Sequence, residues 1–163
     1  MNVWCGVLGK KLIESFVFDN NLTGNVYEVF LRNELPGLLE DIPLMIRSQT
    51  YFQHDGAPLH YTRHVRDYLN ESFPNRWLGC GGPVAWPPRS PDLTPLDFYL
   101  WGHLKTLVYK SKDDSRAELR DRIFAAAELI RNHPNNIASA TQSLLMCAEN
   151  CIAAGGGHFE QLL

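Results

Sequence analysis

No stretch of about 18 consecutive apolar residues occurs in the sequence, so no segment reads as a membrane-spanning helix. The opening Met1-Asn2-Val3-Trp4-Cys5-Gly6 lacks the basic start and apolar core of a secretory signal, which argues against export. Internal repeats and low-complexity tracts are also missing, so none helps to fix the topology. Cationic excess is missing too, because 15 Lys and Arg against 18 Asp and Glu leave a formal net charge of −3. Affinity for phosphate backbones comes largely from Lys and Arg. A general electrostatic grip on nucleic acid is therefore excluded, and any such role must rest on a local site.

Cysteine is sparse. Cys5, Cys80, Cys147 and Cys151 contain no CxxC pair and are read as free thiols. Cys147 and Cys151 stand four apart in a predicted helix with His158 beyond, which resembles part of a zinc set. No second pair has metal spacing, so the preferred reading is two small apolar residues on one helix face.

What is present is a globular composition: 45% hydrophobic, 20% charged and 11% aromatic in 163 residues, enough for one domain over 1–163 with a sizeable core. Residues 2–9 and 12–18 read as two strands of a hairpin around Gly9-Lys10-Lys11. Thr23 caps a helix from Gly24, and Pro36 kinks it or starts a new turn. Thr50 to His54 is a short strand ending at Asp55; Gly56-Ala57-Pro58 breaks it, and His60 to Phe73 has helical spacing.

Leu78 to Pro83 reads as a loop and Val84-Ala85-Trp86 as a short buried strand. Pro87 to Pro95 is expected to run extended, because each proline fixes its own φ and biases its predecessor away from helix. Thr94 as N-cap, Pro95 at the first position and Asp97 at the third make a coherent helix start. Ser115-Arg116-Ala117-Glu118 is a capping box opening a helix to about Arg131, and Pro134 separates it from a last helix ending near glycines 155–157. Strands alternating with helices, followed by a helical tail, make an α/β protein.

Two residues invite chemistry. Asp55 ends an apolar strand and Asp97 lies in the first turn of a helix, places from which carboxylates can converge on a cation. Magnesium takes a few hard oxygen ligands from protein and leaves positions for water and phosphate, as phosphoryl transfer requires. By themselves the two also fit plain strand-end and helix-cap roles.

The segments around them are more specific. Gln53-His54-Asp55-Gly56-Ala57-Pro58-Leu59-His60 and the run from Trp86-Pro87-Pro88-Arg89 through Ser90-Pro91-Asp92-Leu93-Thr94-Pro95-Leu96-Asp97 to Phe98-Tyr99-Leu100-Trp101 resemble the second and third acidic motifs of mariner-type transposases of the DDE/D superfamily. The likeness extends to Val3-Trp4-Cys5-Gly6, Asn33-Glu34-Leu35-Pro36 and Gly156-Gly157-His158-Phe159-Glu160.

The resemblance implies a ribonuclease-H-like fold and three carboxylates holding Mg2+ or Mn2+ for attack on DNA phosphate. Asp55 would be the second carboxylate and Asp97 the third, in preference to Asp92, which falls in the extended segment before the helix. The first belongs to a strand before the hairpin, so the sheet is expected to lack its first central strand. Glu14 and Asp19 correspond to the second hairpin strand and its following loop, and do not replace that carboxylate.

Cation binding is accordingly expected to be weak and the chain inactive alone, with Val3–Val7 and Tyr51–His54 poorly paired. The family's N-terminal helix-turn-helix region, which recognises transposon ends, is also unrepresented. His54, His60, Arg63 and Arg89 are candidate phosphate contacts, and Lys105, Lys110 and Lys112 a modest basic edge or a solvated face. DNA as partner, a homodimer and a nuclear location are further implications; the alternative is a non-enzymatic transposon-derived remnant that binds nucleic acid or protein.

Overall fold

The computed structural model describes residues 1–87, 90–110 and 115–155. They form strands β1 (Asn2–Leu8) and β2 (Lys11–Phe18), helices α1 (Gly24–Asn33), α2 (Leu35–Leu38) and α3 (Leu44–Gln49), and strand β3 (Phe52–Gln53). A 3-10 turn (Pro58–Tyr61), α4 (Arg63–Ser72) and β4 (Trp77–Leu78) follow. Then come a 3-10 turn (Pro91–Leu93), a π-helical turn (Leu96–Trp101), α5 (Gly102–Val108), α6 (Arg116–Arg131) and α7 (Pro134–Ala153). No helix among the described residues is long and apolar enough to cross a membrane.

The chain divides into two compact units, one of Met1–Asn2 with Phe18–Ser90, the other of Val3–Val17 with Pro91–Leu163. The strands form two separate two-stranded sheets, β1 with β2 and β3 with β4. The neighbour of β3 is thus the parallel strand β4, with Phe52 opposite Trp77 and Gln53 opposite Leu78.

In the first unit, Thr23 caps α1 as its sequence predicts, its hydroxyl accepting from the Val26 amide at 3.3 Å. Tyr27, Phe30 and Leu31 form the buried face of α1, and Val65, Tyr68 and Leu69 that of α4. Two expectations are corrected here. The strand predicted over Thr50 to His54 shrinks to Phe52–Gln53, because Thr50 instead closes α3, its hydroxyl donating to the Ile46 carbonyl at 2.9 Å. Leu78, predicted to open a loop, pairs in β4, while Val84 makes only an isolated bridge to it.

The glycine-rich segment behind β4 is also more than slack. Trp77 is fully buried and donates from Nε1 to Asn70 Oδ1 at 2.9 Å. A Cβ placed on Gly82 would come within 2.8 Å of its indole, so the loop can wrap the ring only because a glycine stands there.

In the second unit the hairpin turns at Gly9, whose φ of +58° is a left-handed value that glycine adopts without penalty. Thr141 of α7 donates to the Gly9 carbonyl at 2.8 Å. Cys5 and Leu12 of the hairpin join Leu100, Leu104, Ile130 and Ile137 in one hydrophobic core. Ser115 caps α6 by accepting from the Glu118 amide at 3.1 Å, and Pro134 occupies the first turn of α7, as predicted.

The extended run predicted over Pro87 to Pro95 is interrupted by the 3-10 turn at Pro91–Leu93, where the Thr94 amide donates to the Pro91 carbonyl at 3.1 Å. Proline suits the first position of such a turn, and only Ser90 and Thr94, which precede prolines, are pushed out of the helical region there. All four cysteines are free thiols, with Cys147 buried on α7 and Cys151 one turn on.

Candidate functional site

The chemistry of the first unit gathers where β3 ends. Asp55 follows the strand and is locked by two donors to the same oxygen. Its Oδ1 accepts from the Ala57 amide at 3.0 Å and from Nδ1 of His60 in a short hydrogen bond. Oδ2 has no hydrogen bond among the described residues, and 44% of the side chain is exposed. The bond from His60 holds the Asp55 carboxyl below the usual carboxylate range; partial burial opposes this and the Ala57 amide reinforces it. The group is therefore ionised at neutral pH, with one oxygen committed and one open.

His60 sits in the 3-10 turn opened by Pro58, and its ring stacks on that of His54 with centroids 4.4 Å apart and planes 10° apart. His54 is only 6% exposed and its Nε2 lies 2.6 Å from the Tyr27 hydroxyl of α1. Its Nδ1 is buried without a hydrogen-bond partner among the described residues. Burial, and after it the charge of His60, pushes the imidazole well below its ordinary pKa of 6.5, so the ring is neutral.

The four candidate phosphate contacts are thus placed differently. His54 is internal and engaged by Tyr27. His60 is turned onto Asp55. Arg63 opens α4 with 85% of its side chain exposed, 3.7 Å from Asp67 along the helix. Arg89 lies outside the described residues, as do Lys112 and His158.

In the second unit, Thr94 is buried and its hydroxyl accepts from the Leu96 amide at 3.3 Å, while its carbonyl accepts from the amides of Asp97 and Phe98 at 3.0 and 3.2 Å. The start predicted for this helix is therefore present, but after Pro95 the six residues Leu96–Trp101 wind as a π-helical turn that carries Asp97, exposed. Such turns are rare and recur at functional sites. Asp92 lies in the preceding 3-10 turn, which packs against α7, and its charge adds to burial in raising the Cys147 thiol. Of the aromatic residues, Trp86 is buried, Tyr99 and Trp101 pack against the core of the second unit, and Phe98 is 38% exposed.

The donor set at Asp55 suits a hard divalent cation: an ionised carboxylate, half-exposed, with a free oxygen. No group of three or more His, Cys, Asp or Glu among the described residues is placed to hold a metal. The Tyr27–His54–His60 arrangement behind Asp55 was not legible in the sequence; the only signal was the recurrence of histidine on either side of the aspartate.

No family model matches the chain. Across 107 residues it is 32% identical to the Transposable element Tc3 transposase of Caenorhabditis elegans, a match taking in 66% of this chain and 29% of that protein. In sequence the chain is thus similar to a transposase. It also superposes on the catalytic domain of Mos1 mariner transposase with a TM-score of 0.76 and 24% identity, covering 97% of this chain and 75% of that one.

The Mos1 mariner paired end complex with Mn gives a TM-score of 0.76 at 22% identity, covering 97% of this chain and 44% of that one. Structures of the Mos1 catalytic domain have also been solved with Mn and with Mg. The fold is that of the mariner catalytic domain, ribonuclease-H-like, with a helical C-terminal region. The chain spans less than a third of the length of the curated relative it matches.

Proposed function

We propose that this transposase fragment belongs to a metal-dependent catalytic domain that cuts and joins DNA strands, with Asp55 and Asp97 each supplying a carboxylate to Mg2+ or Mn2+. The observation that carries this reading is the state of Asp55, ionised, fixed through Oδ1 and open at Oδ2. Kinship with Tc3 transposase and the presence of Mn or Mg in Mos1 structures support it. A divalent cation in such a site activates a water or 3′-hydroxyl and neutralises charge on the attacked phosphate.

The chain's own contribution is placement. The Ala57 amide and His60 hold one Asp55 oxygen, leaving the other to accept a cation. Asp97 stands exposed in a helical first turn, which offers a second carboxylate. Arg63 is the candidate phosphate contact with the most exposed side chain among those described. Transposon-end DNA as partner, a homodimer of the parent protein and action in the nucleus belong to the same reading; the Mos1 paired end complex supports the first two.

Calorimetric titration of the chain with MnCl2, together with incubation on a transposon-end duplex, tests the proposal. Weak Mn2+ binding lost in Asp55→Asn and reduced in Asp97→Asn is the expected result, with no strand cleavage by the chain alone. Binding unchanged by Asp55→Asn would overturn the assignment. Micromolar binding with cleavage would show that this chain needs no further carboxylate.

A further inference from the structure

Asp55 reaches outward from a stack of side chains that come from separate parts of the first unit. Tyr27 lies on α1, His54 directly after β3 and His60 in the 3-10 turn. Tyr27 is 2% and His54 6% exposed, so neither ring is free to swing. The ring of His60 is held on both of them, 4.4 Å from His54 and 5.0 Å from Tyr27 between centroids. An ionised carboxylate has only acceptors, so the bond between His60 and Asp55 requires the proton on Nδ1. Packing therefore decides where that Nδ1–H points, and it points at Oδ1.

We propose that His60 is a positioning residue, held by the Tyr27–His54 pair, that fixes Oδ1 of Asp55 so that Oδ2 is presented to the cation. The inference rests on the reading of Asp55 as a cation ligand. Without His60 only the Ala57 amide would hold Oδ1, so the carboxylate would sample more of its last torsion, which is broad and two-fold for Asp, and cation binding would have to narrow that spread. A histidine that merely tied the 3-10 turn to the strand end would affect stability and leave cation affinity alone. Partners that orient a metal ligand typically contribute about 10–100-fold in metal affinity.

The test is Mn2+ affinity of the full chain, read from the electron paramagnetic resonance signal of free Mn2+, with a thermal melt of each variant alongside. His60→Ala should weaken binding about tenfold or more. His60→Asn places an amide N–H near the position of Nδ1 and should recover most of that loss, whereas His60→Gln carries its N–H one bond further out and should not. The comparison of Asn with Gln remains decisive if His60→Ala fails to fold.

Equal affinities for His60→Asn and His60→Gln, or wild-type affinity in a folded His60→Ala, would overturn the positioning role. Asp55→Asn separates the two ideas. If it loses Mn2+ while His60→Ala does not, only this inference fails; if it binds as the wild type does, or the wild type binds nothing, the reading of Asp55 as a ligand fails and this inference with it.

Discussion

Cys5 shows what burial does to a single side chain. It is 2% exposed, and its Sγ lies 3.2 Å from the Ser15 hydroxyl. Burial pushes the thiol from its ordinary 9.0 up to about 11, although the Ser15 contact pulls the other way. A raised folded-state pKa means that the native chain keeps this proton after the unfolded chain has begun to release it. The resulting stability is complete below pH 9.0 and is lost as pH rises towards about 11. The loss is on the order of 2–3 kcal/mol. Urea midpoints of the wild type and Cys5→Val, compared at pH 7.5, 9 and 10.5, check this. The wild type should fall more steeply above pH 9, and parallel slopes would mean that Cys5 does not drive the loss.

Among the elements, helix starts follow their caps closely. Ser115 accepts from the Glu118 amide at 3.1 Å and opens α6, which carries Ile123, Ala126, Ala127 and Ile130 into the core. Replacing Ser115 by alanine should cost about 1 kcal/mol, and Ser115→Asp should restore most of it. Chemical denaturation measures both, and an alanine variant as stable as the wild type would show that this cap is satisfied by water at no cost. The helix carrying Asp97 obeys its cap as well, through the Thr94 hydroxyl on the Leu96 amide, yet its π-helical winding has no counterpart in the local sequence signals.

Across the molecule, each unit has its own buried side chains, and the elements draw on them unequally. No residue of α3 is buried, and Leu44 and Met45 are 73% and 74% exposed. By contrast α4 buries Val65, Tyr68 and Leu69, and α6 four residues. Native-state hydrogen exchange should therefore find the amides of α3 exchanging first among the helices of its unit, and those of α4 and α6 persisting towards the global unfolding limit. Protection of α3 equal to that of α4 would mean that its apolar side chains are covered in solution.

The sequence by itself determined those features that depend on neighbours along the chain. The turn at Gly9, the caps at Thr23 and Ser115, the start of α7 at Pro134 and the position of Asp55 at a strand end all rest on residues within a few positions of one another. Such signals act through local hydrogen bonds and fixed φ values. The resemblance of the two acidic motifs was legible for the same reason, being carried by continuous segments.

Other features were decided only by the tertiary structure. Helix α3 has no buried face whose periodicity would announce it, and β4 is two residues that become a strand only because β3 lies beside them. Gly82 reads as loop until Trp77 is found against it. The hold on Asp55 needs Tyr27, His54 and His60 together, and no local propensity links a residue of α1 to a turn some thirty positions on; only packing of their rings fixes where the His60 proton points.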